Sequence, residues 1–298
     1  MRVDPHYLQN LSVAVSSSSA AEERLTSQLS SGLRVSTLSD DPVSVASNAL
    51  LASDIDHADT FVQTATREQS TIQAADSTLG EVVTQVTKAI SLVTQAGGGN
   101  VNAANLSTAA KQVADIRDSI VSLANTSYSG TYLFSGSQGL TQPFTLDSTT
   151  DPATVTYNGD NVTQQISTSQ GQKIGVSLPG SSVFQNSAGD LLGALNKLAS
   201  DLAAGDTSSV SSEASALNEG LAQLTAQRAT LGGALSTLDA SSGYASTQES
   251  QLRVSQSTML SADTAQVATS LQQTELQHQA LLSVIAGLSK TNLFDYLK

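Results

Sequence analysis

The amino-acid sequence predicts a mainly α-helical protein with a β insert: a long antiparallel helical bundle or coiled coil, whose terminal helices pair, plus a small central β domain. Three observations carry this prediction. Apolar residues recur at alternating spacings of three and four along most of the chain, as in packed helices. No proline follows Pro179, so the rest of the chain can be helical throughout. Six of the eleven aromatic residues lie within residues 128–184, where the pattern alternates as in strands.

The first predicted helix runs from Leu8 to Leu29, where apolar residues recur at heptad spacing with polar interruptions. Gly32 is expected to end this helix. The segment 39–42, Ser-Asp-Asp-Pro, is expected to start the next one. In that segment Asp41 suits the N-cap and Pro42 suits the first helical turn.

The next two helices are predicted from longer heptad patterns. From Ile55 to Val93, ten of the twelve positions at alternating spacings of three and four are apolar. The run Gly-Gly-Gly-Asn at 97–100 should end this helix. From Leu106 to Leu123 every heptad position is apolar. Because the loop between them is short, these segments should form an antiparallel helical hairpin.

The central segment is predicted to form a small β insertion. The stretches 154–157 and 173–178 alternate between apolar and polar residues, which favours strands. The dipeptide Asn158-Gly159 is a strong signal for a tight hairpin turn.

Helical spacing resumes at Leu191, and further apolar stripes run from Val210 to Leu238 and from Leu260 to Leu288. The last two stripes differ in register by one residue, which predicts a stutter or a break around Gly243 to Ser255. The predicted organisation therefore has three domains, of which the first two are each built from two separated segments that flank the next domain in the sequence. These are a terminal coiled-coil core domain (1–40 and 255–298), a helical bundle domain (41–127 and 188–254) and an outer β domain (128–187).

The C-terminal segment is predicted to need partners in order to fold. Residues 255–298 contain thirteen large apolar residues. Complete burial of these would contribute about 26 kcal/mol, and backbone hydrogen bonds about 40 kcal/mol, whereas ordering the segment costs about 66 kcal/mol. One helix pair cannot bury every side, so isolated ends should fray and ends packed among copies should order. This balance indicates an assembly protein.

Composition excludes several classes of function. The net charge of −13 disfavours nucleic-acid binding. The chain has no cysteine, which removes disulfides, thiolate catalysis and Cys-ligated metals. No run of 18 apolar residues occurs, so no membrane insertion is expected. The first residues lack a continuous apolar stretch, so we expect no cleaved signal peptide.

The sequence offers no catalytic or cofactor-binding constellation. Its three histidines, His6, His57 and His278, have no paired ligand at metal-binding spacing. The GxSxG, HExxH and P-loop patterns are absent. We therefore predict neither an enzyme nor a bound metal or cofactor.

Two terminal motifs resemble those of the flagellin superfamily. The first is Leu-Ser-Ser-Gly-Leu-Arg-Val at 29–35, followed by Asp40-Asp41-Pro42, and the second spans 261–274. Within the superfamily the sequence is most similar to hook–filament junction proteins. The features that favour them are Asp-Asp-Pro in place of Asp-Asp-Ala, the run Tyr-Leu-Phe-Ser-Gly at 132–136 with Pro143-Phe144, and the ending Leu-Phe-Asp-Tyr-Leu at 293–297.

This resemblance implies a structural role in the bacterial flagellum. Copies of the chain would form a homo-oligomeric ring at the end of the hook, contacting another hook-associated protein and flagellin, with filament assembly following on the ring. The resemblance also implies an extracellular location, reached by type III export of an unfolded chain without a cleaved signal peptide. An export chaperone would bind the C-terminal helix.

The residues expected at the subunit interface combine the two terminal stripes with the terminal motifs. They are Leu8, Leu11, Val15, Leu25, Leu29, Leu33, Arg34, Asp40, Asp41, Pro42, Leu271, His278, Leu281, Ile285, Leu288, Leu293, Phe294, Tyr296 and Leu297. The main alternative is a filament flagellin with a small outer domain. A helical signalling module and an enzyme are further alternatives, against which the terminal motifs and the missing catalytic groups count.

Overall fold

The computed structural model describes residues 5–97, 102–168, 170–186 and 189–291. Long helices and short antiparallel strand pairs account for the regular structure, which confirms the predicted fold class. The chain divides into two compact units, one made of residues 1–56 and 248–298 and the other of residues 57–247. The finer division into three domains stays a prediction.

The first unit contains the paired terminal helices, α1 (Pro5–Ser31) and α7 (Thr264–Thr291). Helix α1 ends at Gly32, whose φ of +68° lies in the left-handed region that glycine adopts without strain. Directly after it, Leu33 forms an antiparallel bridge with Ser261, and the Gly32 carbonyl accepts from the Ala262 N–H at 2.9 Å. The end of α1 therefore lies beside the start of α7, and the two helices run antiparallel.

Two long helices begin in one unit and end in the other: α2 (Pro42–Ala96) and α6 (Val210–Leu260). Of the stutter or break predicted around Gly243 to Ser255, the break is wrong, because α6 is continuous up to Leu260. It continues because its buried row extends to Ala245, and it stops where another segment binds its last carbonyls. The Arg34 N–H donates to the Leu260 carbonyl at 2.7 Å.

The second unit holds the main hydrophobic core, to which α2, α3 (Ala103–Ala124) and α5 (Leu191–Ala204) contribute. The predicted helices of the hairpin are confirmed, and both place apolar residues in this core. The closest helical neighbour of α3 is α5, however, which the sequence pattern did not predict. The glycine run predicted to end α2 follows Ala96, although residues 98–100 lie outside the described residues.

The predicted apolar positions of α2, from Ile55 to Val93, form two rows in which residues are spaced seven apart. The helix buries one of these rows completely and the other only in part. The completely buried row includes Ala65, Ile72 and Leu79. On the other side of this row lies a further one that the pattern did not single out, made of Phe61, Glu68, Ala75, Val82, Ala89 and Ala96. Every member of that further row is buried except Glu68, which is half-buried.

The β region consists of four antiparallel strand pairs within the described residues. The pairs are β1 (Ser127–Tyr128) with β2 (Thr131–Tyr132), β3 (Phe144–Asp147) with β4 (Thr154–Tyr157), β5 (Gln165–Ser167) with β6 (Lys173–Gly175), and β7 (Gln185–Asn186) with β8 (Gly189–Asp190). A short helix, α4 (Gly180–Phe184), precedes β7. The predicted strand at 154–157 is confirmed, whereas the one at 173–178 is shorter than predicted.

The hairpin turn predicted at Asn158-Gly159 is wrong. Strand β4 pairs with the preceding strand β3, so Asn158-Gly159 follows this strand pair and does not connect two paired strands. Gly159 serves a close approach: a Cβ there would lie 2.4 Å from the Tyr157 hydroxyl oxygen and 2.8 Å from the Ser135 carbonyl oxygen. Only glycine fits this position, and that requirement produces the same dipeptide as a tight turn.

An aromatic cluster holds the β region together. The rings of Phe134, Phe144 and Phe184 are fully buried. Phe144 packs edge-on against Phe184 at 5.3 Å between ring centroids and lies 5.1 Å from the ring of Tyr157. The Tyr157 hydroxyl donates to the Phe134 carbonyl at 3.0 Å, which satisfies its polar end.

Candidate subunit-interface site

Most of the predicted interface residues in α1 and α7 are half-buried. This is expected for one helix pair that covers only part of each apolar stripe, and the half-buried residues are Leu11, Val15, Leu25, Leu271, His278, Leu281 and Ile285. Leu29 and Leu33 are exposed, at 39% and 38%. The structure thus brings these residues onto one helix pair without enclosing them.

Exposed apolar side chains concentrate in the same unit. Of the fifteen large hydrophobic side chains exposed in the described part of the chain, eleven belong to the first unit. These eleven are Tyr7, Val13, Leu29, Leu33, Leu38, Val43, Leu50, Val254, Leu276, Leu282 and Val284. Exposed apolar surface on this scale is typical of an interaction surface.

Two buried polar atoms of the helix pair lack a hydrogen-bond partner among the described residues. They are Ser18 Oγ in α1 and His278 Nδ1 in α7. A buried polar atom without a partner costs free energy, commonly about 1–3 kcal/mol. The paired helices are therefore not optimised as an isolated pair.

The loop between α1 and α2 is fixed by its polar side chains. The Arg34 guanidinium lies 3.4 Å from the Asp41 carboxylate and donates to the Met259 carbonyl at 3.2 Å. Asp41 also accepts from the Ser44 N–H at 3.1 Å, which confirms Asp41 as the N-cap of α2, and Pro42 is the first residue of that helix. Arg34 and Asp41, predicted as interface residues, thus have partners inside the chain.

Asp40 organises the first part of this loop. Its carboxylate accepts from the N–H groups of Ser36 at 3.0 Å and Thr37 at 2.9 Å. These bonds favour the charged form and lower the pKa of Asp40 to about 2. The hydroxyl and N–H of Ser44 likewise lower the pKa of Asp41, with a smaller contribution from Arg34.

We predict that Asp40 makes the stability of this unit sensitive to acid. Since its pKa is about 2 in the folded chain against an ordinary value of 3.8, its contribution is complete above about pH 4 and is lost as the pH falls through 2. In Asp40→Asn the thermal midpoint should therefore fall less between pH 4 and pH 2 than in the parent chain. Circular dichroism melts at several pH values measure this. Asp54→Asn, an exposed acid of α2, should follow the parent, and equal acid sensitivity of the parent and Asp40→Asn would contradict the prediction.

Several predicted interface positions carry no side-chain description. Leu8 and Leu288 lie within α1 and α7, where only the backbone is described. Leu293, Phe294, Tyr296 and Leu297 lie outside the described residues.

Sequence reasoning missed Val35, which is 3% exposed and is the buried anchor of the α1–α2 loop. Its position between Arg34 and Ser36 carries no periodic signal, because a single buried residue in a loop follows no helical or strand period.

Among the described residues, no group of three or more His, Asp or Glu side chains could hold a metal ion. None of the described helices is long and apolar enough to span a membrane.

Several known proteins are similar to this chain in sequence. Residues 7–139 match the model of the bacterial flagellin N-terminal helical region. Over 172 residues the chain is 30% identical to flagellar hook-associated protein 3 of Salmonella typhimurium. The matched region covers 57% of this chain and 52% of that protein. The N-terminal part of the chain, over residues 7–139, is thus similar to the flagellin family. The hook-associated protein 3 of Escherichia coli is 25% identical over 170 residues, with the same two coverages. The chain thus spans about half the length of the curated relatives it matches.

Several solved structures share the fold of this chain. A putative flagellar hook-associated protein from Vibrio parahaemolyticus superimposes with a TM-score of 0.65 at 17% identity, covering 74% of this chain and 99% of that one. Flagellar hook-associated protein 3 from Legionella pneumophila gives 0.63 at 14% identity, covering 70% and 97%. FlgL from Bacillus cereus gives 0.56 at 18% identity, also covering 70% and 97%. At these identities the likeness concerns the fold alone.

Proposed function

We propose that this chain is a structural component of the bacterial flagellum that forms the junction between hook and filament, on which flagellin assembly proceeds. The observation that carries the proposal is the helix pair α1–α7, which leaves its apolar side chains half-buried or exposed. In a ring of copies, each pair would cover the stripe of its neighbour. The names of the relatives, hook-associated protein 3 and FlgL, support a junction protein over the alternative, a filament flagellin.

The surface of the first unit supports assembly on physical grounds. Burying apolar surface contributes about 25 cal/mol per Å², and the eleven exposed apolar side chains of this unit offer such surface. The predicted interface residues listed above are therefore proposed to contact neighbouring subunits, and the terminal coiled-coil domain is proposed to form the inner wall of the ring.

The proposal extends to partners and location. The ring contacts another hook-associated protein on one side and flagellin on the other, outside the cell. The chain reaches that place by flagellar export without a cleaved signal peptide, with a chaperone bound to its C-terminal helix. The role is structural and involves no catalysis.

Gene deletion tests this function directly. We expect cells without the gene to keep their hooks, to lack filaments and to release flagellin into the medium, and a plasmid copy to restore the filaments. Electron microscopy counts hooks and filaments, and immunoblots of the medium measure flagellin. Cells that still grow filaments would contradict the junction role. Loss of the secreted filament subunit itself would identify the chain as flagellin.

A further inference from the structure

A cavity of about 280 Å³ lies in the second unit between α2 and the β1–β2 hairpin. Two tyrosines of the hairpin line it, Tyr128, which is 38% exposed, and the half-buried Tyr132. The buried side chains of Leu133 and Val176 also line it. The cavity thus combines aromatic surface open to solvent with buried apolar side chains, as small-ligand sites commonly do.

The charged residues of the cavity are the unusual feature. Glu68 occupies the α2 row that Phe61, Ala75, Val82 and Ala89 otherwise fill with buried apolar side chains. A helix that only packs against its neighbours would carry an apolar residue at this position. The carboxylate instead lines the cavity, beside the guanidinium of Arg67.

Neither charge is neutralised inside the protein. Among the described residues, no ion-pair partner lies within 4.0 Å of Glu68 or Arg67. By contrast, Arg117, Lys197 and Arg228 of the same unit each contact a carboxylate. Burial raises the pKa of Glu68, and the opposing effect of Arg67 is smaller. Keeping a partly desolvated carboxylate without an ion-pair partner in a packing row costs stability, which indicates a use other than packing.

The cavity also presents an amide in a fixed orientation. Gln164 is held from two sides, since its side-chain Nε2 donates to the Gly136 carbonyl at 3.1 Å and its backbone N–H donates to Ser177 Oγ at 2.8 Å. This arrangement leaves the amide oxygen of Gln164 as an acceptor. Glu68 adds an acceptor, Arg67 adds donors, and the tyrosine hydroxyls can act as either.

We propose that this cavity binds a saccharide through one neutral sugar ring. Neighbouring sugar hydroxyls each donate and accept, which matches a lining of carboxylate, guanidinium and amide groups. The C–H faces of a sugar ring pack on aromatic rings, which Tyr128 and Tyr132 provide. Glu68 and Arg67 form no ion pair but carry opposite charges, so the lining has no net charge and favours a ligand without net charge over a cation, which Arg67 repels, or an anion, which Glu68 repels. The volume lies just below the range of about 300–1,000 Å³ for ligand sites, so one ring fits and further sugars would extend into solvent.

Saturation-transfer difference NMR on the full chain tests the proposal. The probes are free glucose, galactose, mannose, N-acetylglucosamine and N-acetylgalactosamine, with zwitterionic glycine and cationic tetramethylammonium as comparison ligands. We expect at least one of the sugars to bind with a millimolar Kd. Glu68→Ala and Tyr132→Ala should each weaken that binding at least tenfold.

Matched variants distinguish this site from adventitious binding. Glu81→Ala removes an exposed acid of the same helix, and Tyr244→Ala removes an exposed tyrosine away from the cavity, so both should bind as the parent does. Circular dichroism melts confirm that each variant is folded, and Tyr128→Ala, at an exposed position, replaces Tyr132→Ala if the latter does not fold. The proposal is overturned if no sugar of the panel binds, if the matched variants lose binding equally, or if only glycine or tetramethylammonium binds. Because every lining residue belongs to the second unit, none of these outcomes bears on the junction role.

Discussion

Replacing Phe144 by alanine is expected to lower the free energy of unfolding of the second unit by about 3–5 kcal/mol. The Phe144 ring is fully buried and packs against the rings of Phe184 and Tyr157. Removing it leaves a cavity that the surrounding strands cannot close, because β3 is held to β4 along its whole length. The side chain of Asn125 also bonds both the N–H and the carbonyl of residue 144, so the backbone stays in place.

Chemical denaturation of Phe144→Ala, followed by tyrosine fluorescence and circular dichroism, measures this loss. The matched control is Leu140→Ala, which removes an apolar side chain that is 86% exposed four residues earlier. The control should change stability by no more than about 0.5 kcal/mol. If both variants lose the same free energy, Phe144 does not anchor the β region.

The second large effect is expected from a charge placed on the terminal helix pair. Leu276 in α7 is 68% exposed in the single chain, so Leu276→Glu should leave its thermal midpoint nearly unchanged. In a ring, the same carboxylate would be buried against a neighbouring copy without a partner, at a cost of several kcal/mol in every subunit. We therefore expect this variant to fold but to fail to restore filaments in a deletion strain.

The readouts are the melting curve of the purified variant and the number of filaments per cell. Leu140→Glu introduces the same charge at an exposed leucine of the second unit, and it should restore filaments fully. Full rescue by Leu276→Glu would show that this face of α7 stays in solvent and would count against the proposed interface. A failure of both variants would mean that any added charge impairs export or assembly.

Sequence periodicity predicted the helices well and their neighbours less well. The apolar rows of α3 and α5 and the completely buried row of α2 follow directly from the apolar spacing, because burial of a continuous stripe requires it, whereas the row of α2 that contains Phe61 and Val82 does not. That α3 packs most closely on α5 does not follow, since similar apolar stripes can pack against one another in several ways. The Asn158-Gly159 error has a related cause, since a glycine needed for close packing and a glycine needed for a turn look alike in sequence.

The candidate site was predictable in part. The stripes through Leu11 and Leu281 identified the helix pair, because two incomplete stripes at opposite ends of a chain must cover each other or a neighbour. The contact of Arg34 with the Met259 carbonyl could not be predicted, because that carbonyl lies at the end of α6, 225 residues away from Arg34. Glu68 was also missed, since a single carboxylate in an apolar row looks like a tolerated interruption until the cavity beside it is seen.

The contact between Arg34 and Met259 has a consequence for the order in which the molecule folds. Closing a loop of 225 residues in an unfolded chain costs about 5 kcal/mol of entropy, whereas the pairing of β3 with β4 closes only a short one. Contacts between distant residues form slowly and late for this reason. We therefore expect residues 57–247 to fold first. The pairing of α1 with α7 would then be the last step, and the two ends would stay unpaired until nearly all of the chain is available.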